Sequence, residues 1–500
     1  MLQIPLGFAL SFLLLNLACQ SHYGFFRDEL YFAACGQRPD WGYVDQPPLI
    51  AFIARFAWWL SGSGSSVALF RVPSYLAGSA CILVSALLAR RLGGGRYAMA
   101  LAACASFGSP LLLAQSHLMS MNIFEILLWE TVALLTAIAV AGSGPAWLAA
   151  GALLGLALSN KYSAGLLTVG LLLGLLVTPE RRFFRSRWLW AGVALTVLLG
   201  LPSLLWQARH AYPFLELLRN GRLYKNTTIS PARQLCEALA EQGPLGAILV
   251  ICGCYQLLIS RESLEARFLG LSSLFVVMAF LIHGAKPYYL GPAFPPLFIA
   301  GAVLVERRLS SRALRRALLV APPWLTFVMA PLATPLFPNP LRALAYMEAL
   351  NVHPIRLERR ATQEMPQHFA DQLGWPERVQ AVARVVDGFS PEERKSMVIF
   401  TTNYGRAAAL EMLGEGLHLP PVVCSHNQYY LWGSAREPEI VLALGGNLTL
   451  YQQLYGQVTS CGSTPSCPEG MPYESEIPIY CCRKPRAPIA QLLALARHYD

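Results

Sequence analysis

From residue 67 to residue 336 the chain alternates between apolar blocks and short polar connections. The blocks cover 67–89, 97–115, 123–141, 145–158, 163–177, 188–206, 245–259, 268–282, 293–305 and 317–336, and a further one, 4–17, stands near the start. Their lengths approach the roughly 17–25 residues that a helix needs to cross a bilayer, although Pro and Gly interrupt several. The pattern predicts about eleven spanning helices. No positive charge precedes the first block, so it reads as a retained helix and not as a cleaved leader.

After residue 338 no stretch could span a bilayer, and charged and polar residues return. The alternation predicts a buried strand over 395–402, a helix over 404–413, a strand over 439–444, another from Ile477 and a closing helix over 488–497. The expected fold class is therefore an α-helical polytopic membrane protein with a C-terminal α/β domain. Residues 1–338 form the membrane module, with a first outer loop over 21–66, and residues 339–500 form a soluble domain of ordinary size. No internal repeat, GxGxxG or P-loop interrupts this scheme.

Composition agrees. Hydrophobic residues make up 55% and charged residues 14% of the chain, where a soluble domain has about a quarter charged. The net charge of +10 raises nucleic-acid binding, but its distribution argues against that partner. Arg90, Arg91 and Arg96, then Arg181, Arg182, Arg185 and Arg187, then Arg261 and Arg267, then Arg307, Arg308, Arg312, Arg315 and Arg316 sit between apolar blocks. By the count of spans all four clusters share one side, which the positive-inside rule makes cytoplasmic. The loop 21–66, the turn 116–122, the connection at Asn160-Lys161, the loops 207–242 and 283–292 and the C-terminal domain then share the outer side. The loop 207–242 departs from the rule with Arg209, Arg219, Arg222, Lys225 and Arg233. Either a longer loop simply tolerates them, or they face lipid phosphates. The 12 cysteines include no CxxC pair; Cys461 and Cys467 could close a disulfide outside the cytoplasm.

Chemistry concentrates in residues 22–48, HYGFFRDELYFAACGQRPDWGYVDQPP. A helix over 24–35 along the membrane interface would turn Phe25, Leu30 and Phe32 to lipid and Asp28 to a partly desolvated cavity, where a carboxylate serves as a general base. Glu29 adjoins it, and Asp45 is held before Pro47-Pro48. Lys161 and Lys286, with His283, Tyr288 and Tyr289, suit a phosphate-bearing lipid, although a single lysine at a helix end is more often a snorkelling side chain. His117, Asn122 and Glu125 lie at the next outer turn, where an acid within a span needs a wet cavity or a partner. A divalent cation is the one candidate cofactor, with Asp45 and His283 as ligands, but their spacing is not diagnostic. Eleven spans with an intramembrane Glu125 also fit a transporter or flippase of envelope lipids.

FRDELYF, GYVDQPPL, SHLMSMN, NKYS and KPYYLGPAFPPLFIAG, followed by NYGRAAALE, SHNQYYLWG and PYESEIPIY, resemble the GT-C membrane glycosyltransferases that use polyprenyl-phosphate sugars. Within that class the chain is similar to glycosyltransferase family 39, the protein O-mannosyltransferases and the lipid A aminoarabinose transferases. The resemblance implies a GT-C fold in a bacterial inner membrane, working on the periplasmic face. It implies an inverting transfer in which Asp28 activates an acceptor hydroxyl of a protein or glycolipid, with Glu29 and Asp45 beside it and Lys161, Lys286, Tyr288, Tyr289 and Arg209 around the donor phosphate. Two positions depart from the family pattern: Gln46 stands where the aminoarabinose transferases have Lys before Pro-Pro, and Asn122 where many relatives have Asp.

Overall fold

In the computed structural model, which describes residues 2–19, 22–227, 229–352, 358–359 and 364–500, each predicted apolar block is largely helical, some of them across a bend between two helices. Residue 21 of the expected outer loop, and residues 353–357 and 360–363 of the expected C-terminal domain, lie outside the described residues. Among the described residues, Val67–Arg91, Met121–Val140, Arg187–Arg209, Arg261–His283 and Arg312–Ala333 are long and apolar enough to cross a membrane alone, and four bent pairs bring the number to nine if each is one span. The other two of the eleven predicted blocks fall in slightly shorter helices. Gln3–Cys19 and Gly144–Asn160 have 17 residues each, about 26 Å of helix against roughly 30 Å of hydrocarbon.

Small residues let these helices approach closely, the usual device where lipid removes the hydrophobic drive between helices. Gly144–Asn160 crosses Arg187–Arg209 at Gly151 and Gly192, where a methyl group on Gly151 would stand 2.1 Å from the Gly192 carbonyl oxygen. Serines cap several helix starts, as Ser66 accepts from the Leu69 amide at 3.3 Å, which satisfies a backbone donor left without a partner by the first turn.

The bundle is polar end to end. Arg71 and Arg91 lie in one helix, Val67–Arg91, about 30 Å apart along its axis. Arg91 marks the basic end, where Arg308 pairs with Glu262 at 2.6 Å, Glu306 accepts from the Tyr97 amide at 2.9 Å, and the Pro179–Arg185 turn packs on Arg261–Ala266. Arg71 marks the opposite end, where the first loop meets the C-terminal residues.

Those residues build a five-stranded sheet in the order β2-β1-β3-β5-β4. The strands are β1 (Met397–Thr401), β2 (Val422–Cys424), β3 (Ile440–Leu444), β4 (Tyr455–Ser463) and β5 (Pro478–Pro485). β1 runs parallel to both β2 and β3, while β5 is antiparallel to β3 and β4. β1 and β3 are buried throughout, which explains their unbroken apolar sequences. The predicted strands and the helix Tyr404–Leu413 are present; β2, only three residues long, and the largely exposed β4 were not predicted.

Arg27–Gln37 is a helix, as expected, but not one that lies against lipid. Phe25, Leu30 and Phe32 are 4%, 0% and 4% exposed, because the helix packs between Leu49–Leu60 and Tyr404–Leu413. The exposed aromatic face belongs to Leu49–Leu60, through Phe52, Phe56 and Trp59. The expected Cys461–Cys467 bridge is also absent: all cysteines are free thiols. Cys461 is in β4, whereas the Cys467 sulfur sits in a turn against Gly374 and Gly470.

Candidate active site

The two candidate carboxylates are positioned from both sides. Asp28, in the first turn of Arg27–Gln37, keeps about a third of its side chain exposed and accepts a 2.7 Å hydrogen bond from Tyr404 Oη. Asp45 Oδ1 accepts from Tyr31 Oη at 2.8 Å, and Oδ2 from Asn427 Nδ2 at 3.4 Å. The rings of Tyr31 and Tyr404 pack 4.7 Å apart, so the two supports brace each other. Burial pushes the Asp45 carboxyl up to about 6, against the hydrogen bond from Tyr31, and the charge of Asp28 adds to the rise.

Tyr404 and Asn427 follow the carboxyl ends of the parallel strands β1 and β2, the edge where α/β sheets habitually place functional groups. Asn403 caps the helix that carries Tyr404 by accepting from the Gly405 amide at 2.8 Å. Gly405 is required for close approach, since a β-carbon there would stand 2.3 Å from Arg27 Cγ. Gln428 completes the seam: its amide donates to Tyr31 Oη at 3.3 Å, and its Oε1 accepts from the Val44 amide at 3.1 Å. Arg27 is buried beside Asp28, reaching Tyr473 at 3.0 Å and Asp371 at 3.7 Å.

Glu29, expected beside Asp28 in the chemistry, is instead sequestered. Its side chain is fully buried and both oxygens are engaged, by Arg71 at 2.8 and 2.7 Å, by the Phe26 amide at 2.7 Å and by the Met119 amide at 2.8 Å. One residue along a helix turns the side chain by about 100°, enough to take it from the partly exposed side of the helix to the core. His117, expected to line a cavity, belongs to this same buried group, 3.1 Å from Arg71 Nη1. Arg71 also donates to the Gly24 carbonyl and to Gln372. The cluster ties the first loop, two membrane helices and the C-terminal half together.

The lysines converge around Tyr289. Lys161 Nζ donates to Glu125 at 2.7 Å and to Asn122 at 2.9 Å and lies 4.3 Å from the Tyr289 ring. Glu125 and Asn122 thus hold a cation. Lys286 Nζ donates to Glu358 at 2.8 Å, and Tyr288 stacks edge-on against Tyr289 at 4.5 Å. The residue that sequence reading passed over is Lys225. It adjoins Glu358, Arg27, Asp500, Lys286 and Asp45 electrostatically, and its ammonium makes no hydrogen bond among the described residues. Burial, despite Glu358, holds its pKa below the usual lysine value, while Lys286, Lys225 and Arg27 outweigh the burial of Glu358 and hold that carboxyl at about 2. Arg359 fixes the turn that carries Lys225, its amide donating to the Lys225 carbonyl at 2.8 Å and its side chain to Leu223 and Asn226 carbonyls at 2.6 and 3.1 Å.

Other expectations do not hold. Arg209 is exposed at the end of Arg187–Arg209 and has no partner among the described residues, whereas Lys225 of the same loop lies among the other charged groups. Asp45 and His283 do not form a metal pair: Asp45 is taken by Tyr31 and Asn427, and exposed His283 hydrogen-bonds the Ala279 carbonyl at 2.7 Å in its own helix. Gln46 is fully buried next to the Cys35 thiol. Arg71 and Lys225 did leave traces in the sequence, an arginine inside an apolar block and a lysine in a loop that defies the charge rule. Tyr404 and Asn427 stood in quoted motifs without an assigned role.

Residues 45–206 match the family described as dolichyl-phosphate-mannose-protein mannosyltransferase. No curated protein matches the sequence. Among solved structures, ArnT from Cupriavidus metallidurans bound to undecaprenyl phosphate superimposes with a TM-score of 0.60 at 16% identity, over 95% of this chain and 97% of that one. The Archaeoglobus fulgidus oligosaccharyltransferase superimposes at 0.52 with 12% identity, over 83% and 64% of the two chains. The mycobacterial arabinofuranosyltransferase AftD does so at 0.54 with 14% identity, over 97% and 40%. The fold is that of the GT-C class. The family match falls within the membrane-embedded part of this fold.

Proposed function

We propose that the chain is an inverting transferase that moves a sugar from a polyprenyl-phosphate donor to an acceptor hydroxyl or phosphate, on a protein, lipid A or envelope glycan, at the outer face of a bacterial inner membrane. The observation that carries this reading is the opposition of two clusters: accessible Asp28, held by Tyr404, and the lysines around Tyr289. Asp28 takes the proton of the acceptor O–H as that oxygen bonds to the anomeric carbon. The bond from the anomeric carbon to phosphate oxygen breaks, and its electron pair leaves with the polyprenyl phosphate. A phosphate leaving group needs cationic stabilisation and no proton, which Lys225 and Lys286 are placed to supply. Asp45 would face the positive charge that develops on the sugar. The likeness to a structure of ArnT holding undecaprenyl phosphate supports the donor class. A transporter would need its ionisable groups along a path through the bundle, whereas Asp28 and Asp45 are fixed at one end of it.

The reading is tested by incubating the purified full-length chain in lipid nanodiscs with radiolabelled polyprenyl-phosphate sugars and with membranes from a strain lacking it. Label should pass from at least one donor to acceptor in step with release of polyprenyl phosphate. Consumption of no donor would overturn the proposal.

The acidic side of the rate profile gives a second expectation. Asp45 carries its charge above pH about 6 and loses it below, so kcat/KM should fall as pH drops through about 6. Asp45→Asn should be slow throughout and lack that limb. A limb unchanged in the variant would assign it to another group.

A further inference from the structure

Beyond the carboxylates, a second cluster of ligating side chains is built where β2 ends. Residues 425–427 run beside His498 as a parallel bridge: the His498 amide donates to the Ser425 carbonyl at 3.2 Å, and the Asn427 amide donates to the His498 carbonyl at 3.2 Å. This register sets the imidazoles of His426 and His498 against each other, centroids 4.0 Å apart. Asp500 closes the group, its Oδ1 2.7 Å from His426 Nε2 and its amide donating to Asn427 Oδ1 at 3.3 Å. One ligand atom from each of the three residues lies within 4.8 Å of the others. Tetrahedral coordination at about 2.0–2.2 Å asks for ligand atoms roughly 3.4 Å apart, so small side-chain rotations suffice. His426 is 1% exposed, and its Nδ1 has no partner among the described residues. His498 Nδ1 lies 3.0 Å from the Ala496 carbonyl, which fixes that ring and leaves Nε2 for a ligand. Lys225 acts on His426 against a cation, and Glu358 and Asp500 offset the charge of Lys225.

We propose that His426, His498 and Asp500 bind a divalent cation of the zinc class, which ties the 498–500 segment to the loop carrying Asn427. Two imidazoles with one carboxylate favour a borderline-soft ion over Mg2+ or Ca2+, which take oxygen sets. The ion's role is positional: Asn427 donates to Asp45, and His426 packs 4.7 Å from Tyr404, the donor to Asp28. The site stands on these residues alone and does not depend on the transferase reading.

The test uses the full-length chain without a histidine tag, stripped with chelator in detergent and dialysed against Zn2+ or Co2+ alone. One ion per chain is expected, with Co2+ giving the visible absorption of a low-coordinate site, and Zn2+ raising the thermal midpoint. His498→Ala and His426→Gln should each weaken uptake by at least about 10-fold, and Zn2+ should then leave the midpoint unchanged. Metal-free His498→Ala should melt with the metal-free wild type, showing that it folds; should it not, Asp500→Asn and Asp500→Glu make the comparison, the first losing uptake and the second retaining it. His283→Ala should bind as wild type does. No uptake by the wild type, or uptake undiminished in His498→Ala, would overturn the site.

Discussion

Asp28→Asn is expected to lower transfer by about 10²–10⁴-fold, the range for removing a general base, while the protein folds and binds donor as before. The carboxamide has the carboxylate's shape and can still accept from Tyr404 Oη, 2.7 Å away in the native site. What it cannot do is take the acceptor's proton. The side chain keeps about a third of its surface exposed, so the substitution leaves no buried charge without a partner. The measurement is single-turnover transfer from a radiolabelled polyprenyl-phosphate sugar, with the thermal midpoint recorded beside it. An Asp28→Asn protein as fast as wild type would remove Asp28 from the chemistry.

Arg71→Ala should do the reverse, costing about 3–5 kcal/mol of stability because it strands a buried carboxylate. Glu29 and Arg71 both have fully buried side chains, joined by two hydrogen bonds, and Arg71 also serves Gly24, Gln372 and His117. Without the guanidinium, Glu29 keeps only two backbone amides, from Phe26 and Met119. The first loop should loosen from the bundle and the thermal midpoint fall sharply. Glu29→Gln should cost less, since the pair loses its charge but no volume. A midpoint for Arg71→Ala within experimental error of wild type would contradict the structural role assigned here. The neighbours Asp28 and Glu29, a pair in the motif, thus stand apart in the fold, one partly exposed and one buried against Arg71.

Much of this was legible in the chain. The apolar blocks became helices, and the strands and helices of the C-terminal part appeared where the alternation put them. What the pattern could not distinguish is apolar surface facing lipid from apolar surface facing protein, because both demand the same residues. Phe25, Leu30 and Phe32 therefore read as an interfacial face, yet Trp58 and Phe70 pack on Phe25, and the helix carrying the other two is flanked by Leu49–Leu60 and by Tyr404–Leu413, distant in the chain. Arg71 was hidden inside a block that reads as a span. Lys225 resembled Arg219 and Arg222, which are partly or fully exposed, because its inward position depends on Arg359 and Glu358 bridging to its turn. Residue types pointed to a charged site; contacts distant in sequence decided which member of each pair is buried and which stays accessible.

We propose that the junction between the first loop and the C-terminal residues divides its labour, with Asp28 acting on the acceptor and lysines holding the donor phosphate. Equilibrium binding of radiolabelled polyprenyl phosphate, which has no sugar to transfer, tests it most directly. Asp28→Asn should bind as tightly as wild type, and Lys225→Ala should bind at least about 10-fold more weakly, the loss of one charge-assisted contact of about 1.5–3 kcal/mol. Equal affinity for all three proteins, or a loss in Asp28→Asn matching that in Lys225→Ala, would contradict it.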